Sequence, residues 1–117
     1  MTGRSQLGRR GETLAADYLQ QRGWVVIERN LRYREGEIDL VVARDGVLAF
    51  VEVKTRRTRT FGAPVEAVTR TKAQRIRRVA ARYLIETCPK ADVIRFDVMD
   101  LASEGEGFAI THLEGVF

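Results

Sequence analysis

Apolar residues along the chain repeat with two different periods, and the points where the period changes mark helices and strands. From about Ser5 to Arg22, Leu7, Gly11, Leu14, Ala15, Tyr18 and Leu19 recur at helical spacing, which predicts a helix with Ser5 as N-cap and Gly23 just past its end. Trp24 to Asn30 predicts a first strand with Trp24 in the core, and Leu31 to Glu35 a polar connection. Two apolar runs then flank Asp45-Gly46, the dipeptide suited to a two-residue type I′ turn because both central positions need positive φ. Thr55 to Val68, rich in Thr and Arg, predicts an irregular segment. Thr69 is the expected N-cap of a second helix that runs to about Glu86, ahead of Pro89, and buries Ala73, Ile76, Val79, Ala80, Tyr83 and Leu84. Asp92 to Asp100 and Phe108 to Leu113 predict two more strands, joined by a turn over Ser103 to Gly107. The order α-β-β-β-α-β-β implies an α/β domain, a central mixed sheet flanked by two helices.

The hairpin carries charge where a buried strand should carry none. With a two-residue turn, Arg44 faces Val47, and counting outward Asp39 faces Glu52 and Glu37 faces Lys54. Period-two alternation places these four on one face with Val41 and Phe50, while Ile38, Leu40, Val42, Ala49, Val51 and Val53 line the other. Two carboxylates roughly 5 Å apart repel by about 3 kcal/mol at an effective dielectric near 20. A raised pKa, the Lys54 ammonium, or a divalent cation would offset that repulsion. A solvent-facing edge hairpin would also tolerate the charges, but apolar residues on both faces favour a central hairpin with a charged pocket at one end.

Composition narrows the chemistry. The 117 residues, 44% hydrophobic, suit a single domain over 1–117 with one modest core. The longest apolar run, Val47 to Val51, is too short to span a membrane, and the first residues lack an apolar leader, so a cytoplasmic protein is expected. One cysteine, Cys88, and one histidine, His112, leave no internal disulfide and argue against zinc; His112 reads as structural. The net charge of +4 permits a polyanionic partner. Nine of the basic residues fall between 56 and 82, namely Arg56, Arg57, Arg59, Arg70, Lys72, Arg75, Arg77, Arg78 and Arg82, with Glu66 the one acid among them. Lys72, Arg75, Arg78 and Arg82 recur along one helix face, which is either a solvated face or, with Arg56, Arg57 and Arg59, a track for nucleic-acid phosphates.

An acid pair followed by a lysine equips a chain for metal-assisted phosphodiester hydrolysis, in which lysine orients water or stabilises developing charge. Oxygen ligands without histidine or cysteine point to Mg²⁺ or Mn²⁺. Glu12, beside the first helix's apolar stripe, reads alone as a surface residue; Gly8 and Gly11 would be explained by close packing on the sheet or close approach of a ligand.

Asp39 followed by Glu52-Val53-Lys54 resembles the PD-(D/E)XK signature of restriction-endonuclease-like folds, and the preceding helix with Glu12 is similar to that of Holliday-junction resolvases. Gly8-Arg-Arg-Gly-Glu12, Gly36-Glu-Ile-Asp-Leu40, Phe50-Val-Glu-Val-Lys-Thr-Arg56, Phe61-Gly-Ala-Pro-Val-Glu-Ala-Val68 and Arg95-Phe-Asp97 resemble the bacterial YraN family of endonuclease-like proteins. The resemblance implies that Asp39, Glu52 and Glu12 ligate the metal, that Val53 lends its carbonyl, and that Lys54 positions water. Glu37, Glu66 and Lys72 match motif positions without an assigned role. The implied function is a metal-dependent endonuclease on DNA, including branched or junction DNA, for which a homodimer would suit a two-fold substrate. The alternative is a non-catalytic nucleic-acid-binding or accessory protein that retains the fold.

Overall fold

The computed structural model describes residues 6–57 and 68–117. Its elements are α1 (Gln6–Gln21), β1 (Val25–Tyr33), β2 (Gly36–Arg44), β3 (Val47–Arg56), α2 (Arg70–Thr87), β4 (Val93–Glu104) and β5 (Gly107–Leu113). The predicted order α-β-β-β-α-β-β is the observed one. Helix α1 ends as expected at Gly23, whose φ of 89° few other residues adopt without strain. The Gly23 N–H donates to the Gln20 carbonyl and the Trp24 N–H to that of Leu19, the paired bonds of a Schellman cap, and Leu19 and Trp24 are both buried. In α2 the Lys72 N–H donates to the Thr69 hydroxyl at 3.1 Å, as the N-cap reading requires. The predicted N-cap of α1, Ser5, lies outside the described residues. No described helix is long and apolar enough to cross a membrane.

The strands form one open five-stranded mixed sheet in the order β1-β2-β3-β4-β5, consistent with a restriction-endonuclease-like fold. β3 and β4 run parallel, with α2 between them in sequence, and the other neighbours are antiparallel. Asp45 and Gly46 take φ values of 50° and 80°, so the expected type I′ turn closes the β2–β3 hairpin. The predicted register holds from Arg44↔Val47 to Leu40↔Val51 and then stops.

Three predicted boundaries move. β1 runs on through Tyr33 because Leu31, Arg32 and Tyr33 pair with Ile38, Glu37 and Gly36, so the polar connection shrinks to Arg34-Glu35. An edge strand with one wet face tolerates such polar residues. β3 likewise continues through Thr55 and Arg56, which pair with Leu101 and Ala102 of β4. β4 reaches Glu104, leaving Gly105-Glu106 as the turn into β5.

Each face of the sheet buries its own core. Leu40, Val42, Ala49, Val51, Met99 and Leu101 pack under α1 with Trp24, while Val41, Leu48 and Phe50 pack under α2 with Ile76, Val79 and Tyr83. Ile38 belongs to the second cluster, against the expectation that it shares the face of Leu40. Strict alternation therefore fails between Ile38 and Val41, at the position of Asp39. At the far side of the sheet Asp97, fully buried, accepts from Arg95 Nε and Nη2 and from the Gly115 N–H, each at 2.9 Å, and meets His112 Nε2 at 2.8 Å. Burial alone would raise the Asp97 pKa; the hydrogen bonds from His112, Arg95 and Gly115 outweigh it and hold the carboxyl below its ordinary value. His112 thus has the structural role expected of it, fastening β5 to β4.

A carboxylate pair where two strands part

The β2–β3 ladder ends at Leu40↔Val51 because an acid side chain takes the next hydrogen bond. The register assigns the Val53 N–H to the Ile38 carbonyl; it donates instead to Asp39 Oδ2 at 2.7 Å. On the other side of β2 the ladder passes from Arg29↔Leu40 to Leu31↔Ile38 without an Asn30–Asp39 pair, and Asn30 has a φ of 54°. A left-handed non-glycine residue in a strand costs of order 1–3 kcal/mol and marks a kink. Asp39 thus sits where both neighbouring ladders are interrupted, its carboxyl turned onto β3.

Asp39 and Glu52 still come together, joined side chain to side chain and not as the ladder pair the turn register predicts, both at the margin of burial with 8% and 7% exposure. Burial is the main cause that pushes the Glu52 pKa up, to about 8; a hydrogen bond to Asp39 and its negative charge add to the rise. Lys72 opposes it, with Nζ 2.7 Å from Glu52 Oε2. Burial and the neighbouring Asp39 thus keep Glu52 from ionising as readily as a free carboxyl. A strand residue directs its N–H and C=O to the same edge. The carbonyl of Val53 is therefore on the side from which Asp39 approaches.

Glu12 comes from α1. A Cβ on Gly11 would fall on Thr55 Oγ1, so close packing on the sheet explains this glycine. Glu12 and Asp39 line a pocket of about 190 Å³ with Arg9, Thr13, Arg29 and Asn30. Glu12 thus lines the same pocket as Asp39, but among the described residues no three of His, Cys, Asp and Glu gather closely enough to cage a metal ion. Arg29 and Asn30 had no signal in the sequence, since their position depends on the kink.

The other candidates scatter. Lys54 is exposed two residues beyond Glu52, on the same face of β3. Glu37 does not face Lys54; it pairs with Arg32 across β1–β2 at 2.9 Å, because the strands have already parted. Arg56 turns inward, its Nε 3.0 Å from Asp100 Oδ1 and its Nη2 3.1 Å from Oδ2, with 17% of its side chain exposed. Arg57, Arg75 and Arg78 are exposed. Arg82 ties α2 to the β1–β2 turn through Glu35 at 3.1 Å and to Glu86 at 2.9 Å, with Tyr33 beneath it. The basic row on α2 is therefore divided: Lys72 joins the carboxylates, Arg82 braces the fold, and Arg75 and Arg78 face solvent. Glu66 and Arg59 lie outside the described residues. The lysine nearest the acids in space, Lys72, matched a motif, yet its contact could be seen only once α2 was placed.

The chain is 49% identical over 112 residues to a UPF0102 protein of Nocardia farcinica, covering 95% of this chain and 88% of the relative. Similar proteins occur in Mycolicibacterium gilvum, 47% identical with 97% and 94% covered, and in Dictyoglomus thermophilum, 41% identical with 87% and 86% covered. The model of the uncharacterised protein family UPF0102 matches residues 11–101, a span that holds Glu12, Asp39, Glu52, Lys54 and Lys72. Match and relatives together place the chain in UPF0102, the YraN family.

Proposed function

We propose that the chain is a metal-dependent endonuclease that hydrolyses phosphodiester bonds in DNA, branched or junction DNA included. One observation carries the reading: two nearly buried carboxyls, Asp39 and Glu52, share a strand splay, and Lys54 follows on the same face. Such a pair suits Mg²⁺ or Mn²⁺, which are commonly held by one or two carboxylates and completed by water and substrate phosphate. Asp39 and Glu52 would be the ligands, with the Val53 carbonyl at the same edge and Glu12 lining the same pocket as Asp39. When bound, the metal supplies Lewis-acid stabilisation and an acidified water. Asp39, anchored by the Val53 N–H, keeps a fixed direction, and the Lys54 amine orients the attacking water or donates to the phosphoryl oxygen as charge develops. Arg57, Arg75 and Arg78 supply exposed charge for flanking phosphates.

The decisive test is cleavage of single-stranded, duplex and four-way-junction DNA in Mg²⁺ or Mn²⁺, run beside Lys54→Ala and Glu52→Gln. Loss of cleavage in both variants supports the assignment; cleavage unchanged by Lys54→Ala sinks it. The metal site has its own readout: Mn²⁺ should raise the Tm of the parent and leave that of Asp39→Asn unchanged. A binding-only role for the exposed arginines predicts salt-dependent DNA affinity with no cleavage of any substrate.

A further inference from the structure

Lys72 occupies a place where helix chemistry disfavours it. Thr69 caps α2 and bonds the Lys72 N–H, so Lys72 stands at the third helical position, where a capping box carries Glu or Gln. The first turn of α2 contains no acid at all, although the positive end of the helix dipole favours one. A lysine here needs a reason from outside the helix. The reason is Glu52: Lys72 Nζ lies 2.7 Å from its Oε2, and the lysine side chain is 47% exposed against 8% for the glutamate. The ammonium therefore reaches in from solvent and caps one oxygen of an otherwise buried acid.

We propose that Lys72 is a placeholder cation, held on Glu52 in the metal-free protein and displaced when a divalent cation binds the Asp39–Glu52 pair. The inference rests on the metal-site reading given above. An ammonium at 2.7 Å occupies one of the two coordination directions of Oε2, so a metal taking that direction evicts it, and a metal taking the other meets its positive charge at close range. The half-exposed lysine has solvent to move into, whereas the buried carboxyl has none. The cap at Thr69 fixes only the backbone of Lys72, leaving its four-carbon stem free to swing. Cation affinity is then set partly by a competitor built into the chain, and removing the competitor strengthens binding.

Mn²⁺ titration calorimetry on the full chain at one pH and ionic strength tests this, comparing parent, Lys72→Met and Arg70→Met. Arg70 is an exposed first-turn cation, so its variant controls for the loss of one positive charge near the helix end. The expected result is tightening on the order of tenfold in Lys72→Met, within the usual range of coupling between linked sites, with Arg70→Met close to the parent. Binding by Lys72→Met where the parent shows none also supports the placeholder. Equal or weaker binding in Lys72→Met, or equal tightening in both variants, overturns it while leaving the metal site intact. Absence of binding in all three overturns the placeholder and the metal reading together.

Discussion

At about pH 8 the Glu52 carboxyl of the metal-free protein is close to half protonated, whereas in the unfolded chain it ionises near 4.5. Between those values the folded state holds the extra proton, so stability falls as pH rises. The contribution is complete below about 4.5 and lost as pH climbs through about 8. Glu52→Gln removes the titration, and in chelator its advantage over the parent should grow by on the order of a few kcal/mol between about pH 5 and about pH 9. Urea denaturation at the two pH values measures this; a difference that does not change with pH would show that Glu52 is not titrating as described. Asp39 and Glu52 were legible as a pair because turn chemistry and period two fix which residues face each other. Ile38 was misplaced for the same reason, since counting by twos cannot register the interruption that Asp39 creates by taking the Val53 N–H. Lys72 escaped because its partner lies on another element, and sequence separation carries no information about that contact.

Helix α1 is held to β3 by a contact with almost no slack. A methyl on Gly11 would meet both branches of Thr55, its Oγ1 and its Cγ2, the latter at 2.9 Å. Rotation about χ1 does not move the Thr55 Cβ, which itself lies 3.0 Å away, so turning the side chain relieves the contact only in part. Gly11→Ala should therefore destabilise by about 1–3 kcal/mol, although alanine by propensity alone would stabilise a helix by up to about 1 kcal/mol. Thermal denaturation decides between them, and a more stable variant would refute the contact. Glu12, the next residue, should lose its place in the pocket it lines with Asp39 in the same variant, so any cleavage should fall further than the stability loss explains. The helices, the order of elements along the chain and the type I′ turn were readable because stripes, caps and an Asp-Gly pair are local signals. The true ends of β1 and β3 were not, since pairing with a neighbour extends a strand through residues whose own composition resembles a loop.

Over the whole molecule, the parallel β3–β4 step sends the chain back through α2. This returns the start of that helix to the end of β3, where Glu52 and Lys54 lie. Every candidate acid and both candidate lysines fall between Glu12 and Lys72, while β4 and β5 are secured by the Asp97 cluster. Asp97→Asn leaves Arg95 without its buried counter-charge and should cost about 3 kcal/mol. Its Mn²⁺ affinity should match the parent's below the melting transition, and a loss of affinity as large as that of Asp39→Asn would refute the separation. Trp24 strengthens that margin, with Arg44 and Arg95 over its ring at 4.6 and 5.4 Å and the His112 ring edge-on at 6.4 Å. The stapled margin and the open splay can thus vary independently: substitutions in β5 and its fastening can adjust durability with no change needed where the carboxylates meet.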